Sequence, residues 1–403
     1  MRNWLRRICT QPSSSFSHFL ILSISTFLIS CGGRTTAPQD GGDSLAFKYA
    51  TGITITQHPS YTEVELANPW KKGKVLHRYY LVPKDSQTPT NLNGTIVRTP
   101  VSRAAVFTTV HCALLCNLGM GHRIVGVADL KYIKIPYIQE QVKAGHIADC
   151  GNGLNPVVEK IMDLKPDVIM LSPFENNGGY GKTEEIGIPI IECAEYMETT
   201  PLGRAEWMRF YGLLFGCEQR ADSLFAVVDS SYHALKQIAN IAHPTPRSAE
   251  GRLLTAGQKA SPHPTVLIDK MVGNVWYVPG GRSTIGQMVS DAGGNYPWAA
   301  DSHSGSLSLP FEAVLEQGGE TDVWLFRYSG SHDITYDELL AEHHGYTQFR
   351  PYRNRQVYGC DVDRSLFYEE SPFRPDFLLS DFIQIFHPGA TEPKPLRYYK
   401  QLE

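Results

Sequence analysis

One long helical stretch divides this chain, and the same alternation of short apolar strands and helices is found on either side of it. That duplication narrows the available folds more than any other feature. The stretch covers residues 219–242, with Leu224, Val228, Ser231, Leu235 and Ile238 at helical spacing and Pro244 and Pro246 beyond it. At 1.5 Å per residue it would reach ~35 Å, long enough to bridge two lobes. Before it, residues 104–108, 123–127, 168–171 and 188–191 read as strands, with helices over 111–118, 156–164 and 184–187. After it, strands are expected at 252–256, 265–268, 275–278 and 322–326, and a helix over 283–291. Apolar strands alternating with helices imply parallel, right-handed βαβ units. The halves also echo each other in detail. Pro156 with Glu159, and Pro310 with Glu312, each open a helix, and Asp167 or Asp322 then leads into a buried strand.

The N-terminus has a different character. Arg2, Arg6 and Arg7 precede an apolar run of about a dozen residues that ends at Cys31-Gly32-Gly33, the pattern of a secretory leader over residues 1–30. The run is shorter than the ~20 residues a membrane-spanning helix needs. Without the leader about 370 residues remain, more than one core usually serves, so two lobes are expected. Their 41 acids face 34 basic residues, a balance that argues against nucleic acid as a partner. Residues 31–44 read as a flexible stalk. Residues 45–97 hold β-type runs at 52–56, 61–66 and 75–82, expected to form an antiparallel meander. The lobes then occupy 98–200 and 246–390, joined by 201–245, with a tail at 391–403. Cys112, Cys116, Cys150, Cys193, Cys217 and Cys360 allow disulfides but suit small buried hydrophobes equally well. His111, Cys112 and Cys116 lack a second pair at zinc-like spacing.

Two resemblances follow from these residues. Leu28-Ile29-Ser30-Cys31-Gly32 resembles the lipobox of bacterial lipoproteins, which implies a lipid on Cys31 and a membrane tether facing the periplasm. Other motifs lie in the body: Leu118-Gly119-x-Gly121-x-Arg123-Ile124-Val125-Gly126-Val127, Val158-Glu159-Lys160-Ile161-Met162, Val278-Pro279-Gly280-Gly281, Ala292-Gly293-Gly294-Asn295 and Pro310-Phe311-Glu312. In order and spacing they resemble the substrate-binding proteins of ABC importers whose lobes share one backbone helix. Ferric-siderophore, haem and vitamin B12 (cobalamin) binding proteins belong to that class. The resemblance covers about residues 98–386 and implies an α/β fold of two similar lobes with mainly parallel sheets joined by one long backbone helix. The β-rich N-terminal extension lies outside it. It also implies that Glu159 and Glu312 dock onto arginines of an ABC permease, although both stand where a carboxylate simply favours a helix dipole.

In such a fold the ligand cleft lies outside the carboxyl ends of the parallel strands. The residues expected there are Thr108, Thr109 and His111; Pro173, Phe174 and Glu175; Trp276, Tyr277 and Arg282; Arg327 and Tyr328; Phe367 and Tyr368. Aromatic faces beside arginines suit an anionic, partly aromatic metal chelate. The expected function is capture of such a chelate, a ferric siderophore first and cobalamin as the alternative, with no cofactor of the protein's own. An enzyme reading finds no nucleophile elbow, zinc-protease helix or phosphate loop. A free metal ion would need converging ligands, for which His303, His343 and His344 are the candidates.

Overall fold

The computed structural model describes residues 42–175, 178–242, 263–392 and 394–403; the leader, Cys31 and the strand expected at 252–256 lie outside them. Five strands form the N-terminal sheet: β1 (Asp43–Leu45), β2 (Ile53–Gln57), β3 (Thr62–Ala67), β4 (Val75–Pro83) and β5 (Thr95–Thr99), in that order. On β2 and β3, Ile53 pairs with Leu66 and Ile55 with Val64, so the alternating apolar residues share the buried face. The runs at 52–56, 61–66 and 75–82 form the expected antiparallel meander as β2, β3 and β4, to which β5 adds a parallel strand. One expectation needs correcting: Asp43 and Ser44, expected in the stalk, belong to β1.

This sheet is built into the body. Tyr79 on β4 is buried, and its hydroxyl donates to the carbonyl of Ile190 (3.0 Å) and accepts from the N–H of Glu192 (2.9 Å). Both belong to an edge strand of the next sheet, whose open backbone the tyrosine satisfies in place of a further strand. Two buried carboxylates hold the turn before β2. Glu206 accepts the N–H groups of Lys48, Tyr49 and Ala50, and Glu198 those of Thr51 and Gly52.

In the first lobe, β6 (Ala104–Val106), α1 (Thr109–Asn117), β7 (Ile124–Val127), α2 (Pro136–Lys143) and β8 (Ala148–Asp149) are followed by a small hairpin, β9 (Gly151–Asn152) and β10 (Asn155–Pro156). Next come α3 (Val158–Leu164), β11 (Val168–Leu171), α4 (Lys182–Glu185) and β12 (Ile190–Glu192). The sheet runs β12-β11-β6-β7-β8 and is parallel throughout. Both its faces are covered: Val168 and Met170 point into the main core, Ile169 and Leu171 into a smaller one on the other side. That two-sided burial explains the uninterrupted apolar strands.

Two short helices, α5 (Pro201–Glu206) and α6 (Met208–Phe215), precede α7 (Glu218–Ala242), the bridging helix of 25 residues. A side chain on Gly212 would stand 2.7 Å from the Ala221 side chain, so glycine is what lets α6 lie against α7. At its far end, Tyr232 and Lys236 reach the buried Asp291 of the second lobe at 2.8 and 2.6 Å.

The second lobe contains β13 (Val266–Ile268), β14 (Met271–Val272), β15 (Val275–Pro279), α8 (Thr284–Asp291), β16 (Ser306–Leu309), α9 (Phe311–Gly318) and β17 (Val323–Tyr328). It continues through α10 (Tyr336–Glu342), α11 (Arg350–Arg353), β18 (Val357–Asp361), α12 (Phe367–Glu370), α13 (Pro375–Phe386) and β19 (Lys400–Gln401). β13, β17 and β18 are parallel and β19 closes the sheet antiparallel. The strand expected at 275–278 is present, but in a separate antiparallel sheet β14-β15-β16.

Candidate functional site

The carboxyl ends of the second-lobe strands surround a cavity of about 530 Å³. Asp269 directly follows β13, β17 ends in Arg327 and Tyr328, and α12 adds Tyr368. Lys270, Val272 and Tyr277 come from the hairpin, and Glu338 and Glu342 from α10, whose first turn Thr335 closes with a capping box. A second pocket of about 200 Å³ lies between the lobes. Val110 and Arg204 line it from the first-lobe side, Thr284, Ile285 and Met288 from α8, and it shares Arg327 and Tyr368 with the larger cavity.

The charges of the cavity are paired with one another. Asp269 sits at φ +62°, a left-handed turn that aspartate tolerates, and takes Nε and Nη2 of Arg327 in a fork. Burial works against the Arg327 charge, but the Asp269 carboxylate outweighs it and raises the pKa above the usual guanidinium value. The guanidinium also lies 5.7 Å from the Phe367 ring centre and 6.0 Å from that of Tyr368. Lys270 pairs with Glu342, and His332 with Glu338 at 2.7 Å. Glu338 is lowered to about 2, first by the N–H of Thr335 and then by His332.

Beneath the small pocket a second network is fully enclosed. His111 Nε2 is 2.9 Å from the Tyr211 hydroxyl and 3.3 Å from Glu195, and Thr108 contacts the other ring nitrogen. Burial opposes a charge on His111, but Cys193 and Glu195 outweigh it and raise its pKa to about 10. Burial likewise opposes ionisation of Glu195, yet His111 and then Arg204, at 3.9 Å, hold it down to about 2. Contacts across the lobes complete the floor: Thr109 donates to Glu369 at 3.0 Å, and the Lys134 ammonium lies 3.4 Å from Asp363.

Of the residues expected at the ligand, the structure brings Tyr277, Arg327, Tyr328 and Tyr368 together around the large cavity. Trp276 is wholly buried against Trp324, Tyr346 and Phe349, and its indole N–H donates to Ile268. Side chains alternate across a strand, so with Tyr277 facing out Trp276 must face the core. Phe367 is largely buried but lines the pocket between the lobes, and His111 belongs to the enclosed network. Arg282 is exposed, and neither it nor Glu175 lines these cavities. Phe174 lines a separate first-lobe cavity of about 400 Å³ with Leu154 and Tyr180, while Pro173 accepts from the Tyr196 hydroxyl. Glu159 and Glu312 open α3 and α9, exposed and without an ion-pair partner among the described residues. His303 pairs with Asp301, while His343 stacks on Phe311. The six body cysteines are free thiols, four of them buried.

Asp269, Lys270, Glu338, Glu342 and Arg204 were not anticipated from the sequence. Asp269 directly follows a buried strand, so the carboxyl-end rule already marks it. The α10 acids are different, because their place depends on a capped helix that returns over the strand ends.

Comparison with known proteins agrees with this architecture. The sequence model of the periplasmic binding protein family matches residues 105–363. An uncharacterized lipoprotein of Methanocaldococcus jannaschii is 24% identical over 377 residues, covering 87% of this chain and 84% of its own. Among solved structures, a periplasmic haem-binding protein from Pseudomonas aeruginosa superposes with a TM-score of 0.57 at 16% identity, over 74% of this chain and 98% of its own. An ABC-type Fe3+-hydroxamate transport protein from Saccharomonospora viridis gives 0.52 at 19% identity, over 71% and 93%.

Proposed function

We propose that this chain, which belongs to the periplasmic binding protein family, captures a metal chelate in the cleft of its second lobe and delivers it to an ABC permease. The observation that carries the reading is the 530 Å³ cavity outside the strand ends, joined through Arg327 and Tyr368 to the pocket between the lobes. Its size lies in the range of small-molecule sites, and Tyr277, Tyr328 and Tyr368 offer flat faces to a planar or aromatic ligand. Haem and ferric-hydroxamate complexes are the leading ligand classes, because two of the solved relatives are described by those names. Cobalamin is the alternative. Lipidation of Cys31 would hold the protein at the envelope membrane, and the bridging helix would restrict lobe motion to a small hinge.

Glu159 and Glu312 are the proposed permease contacts. Each is exposed in a first helical turn and has no ion-pair partner among the described residues, so each is available to a cation on a partner. Calorimetric titration with haem, a ferric hydroxamate, cobalamin and free iron or zinc tests capture. Saturable sub-micromolar binding of one chelate supports the reading, and silence from folded, ligand-free protein across the panel overturns it. The double change Glu159→Arg, Glu312→Arg should abolish uptake in cells while chelate affinity is unchanged. Loss of binding would place those residues in the cleft instead.

A further inference from the structure

The charge balance around the cleft narrows the ligand further. Both permanent cations on the wall of the large cavity already face a carboxylate of this chain: Arg327 faces Asp269 and Lys270 faces Glu342, while a third carboxylate, Glu338, is hydrogen-bonded to His332. Under the small pocket His111 and Arg204 share Glu195, which leaves one cation over. Buried Glu369 stands close by, bonded to the Thr109 hydroxyl and the Lys134 N–H but to no cation among the described residues. Carboxylates around the two pockets therefore at least match the cations in number, and no net positive charge faces a ligand. A highly charged anion would give up its hydration and gain no counter-charge in return.

We infer that the cleft takes a chelate that is neutral or carries at most one negative charge, and discriminates against a trianionic tris-catecholate complex of iron. The inference rests on the proposed capture of a metal chelate. It replaces the expectation that arginines grip an anion, because Asp269 already occupies two nitrogens of Arg327 and only Nη1 is without a hydrogen-bond partner among the described residues. A neutral ferric tris-hydroxamate fits, and so does ferric haem, whose two carboxylates leave one net negative charge.

The test is tryptophan-fluorescence titration of the full chain in detergent with three probes: a neutral ferric tris-hydroxamate, ferric haem and a ferric tris-catecholate. One of the first two should bind at least about 100-fold more tightly than the third, with little dependence on salt. Asp269→Asn frees Arg327 and the more exposed Glu342→Gln frees Lys270. Each should raise tris-catecholate affinity about tenfold and make it fall with added salt. Tight binding of the tris-catecholate by the unaltered protein would overturn the inference, as would the absence of any gain in both folded variants. Binding of none of the three would instead defeat the chelate reading itself, a different result.

Discussion

The two lobes share an architecture and differ in what their strand ends carry. In the first lobe the residues just beyond β6 and β11 include Thr108, Thr109, Ser172 and Pro173, all uncharged, while the charged strand ends, Glu192 of β12 and Asp149 of β8, stand at the two edges of the sheet. In the second lobe the corresponding ends carry Asp269, Arg327 and Asp361, and ion pairs ring the larger cavity. Ionisable side chains are thus concentrated around the cavity of one lobe, with Lys182 the charged residue lining the cavity of the other. That other lobe contributes Val110, Arg204 and the Thr109–Glu369 hydrogen bond where the lobes meet. A duplicated scaffold can keep its packing rules in both copies while only one acquires the polar residues of a site.

Substitutions can break or sharpen that contrast. The largest effect is expected inside the second lobe. Trp276→Ala should lower unfolding stability by roughly 3–5 kcal/mol, read by chemical denaturation, because it empties a packed aromatic cluster. Lost ligand affinity with full stability would return Trp276 to the cleft. On the first-lobe side, Glu206→Ala strands three backbone N–H groups and should cost roughly 2–4 kcal/mol without changing chelate affinity. Tyr79→Phe removes the hydroxyl that satisfies the β12 edge and should cost about 1–2 kcal/mol in the same assay. If either change weakened chelate binding in folded protein, the division of labour between lobes would fail.

A smaller effect is expected from the buried His111–Glu195 network beneath the small pocket, through pH. Glu195 is held down to about 2 from 4.5, so its contribution is full above pH 4.5 and is lost as pH falls toward 2. His111 is raised to about 10 from 6.5, so its contribution is full below pH 6.5 and is lost as pH rises toward 10. Thermal stability should therefore show this pair's full share between pH 4.5 and 6.5, and His111→Gln should remove the alkaline decline. An unchanged alkaline limb in that variant would assign the decline to other groups.

The fold was more legible in the sequence than the site was. Buried parallel strands announce themselves by continuous apolar runs, so 168–171 coincides with β11, and proline with helical spacing placed the bridge within a residue of α7 at its start. Pairing partners were harder to read. Nothing local to 275–278 shows that this strand joins β14 and β16, nor that β5 would lie parallel to β4, since register depends on the rest of the chain. At the site, strand-end aromatics such as Tyr277 and Tyr368 could be named from position alone. Which neighbour faces outward, and that Arg327 is already engaged by a carboxylate 58 residues away, are facts of three-dimensional packing.

The most direct test of the central claim is hydrogen–deuterium exchange on the full chain, with and without a saturating chelate found by titration. Binding in the second-lobe cleft predicts slowed exchange at 269–277, 327–342 and 367–371, with a weaker effect at 108–111 where the first lobe meets them. Protection confined to 153–183, around the first-lobe cavity, would contradict it.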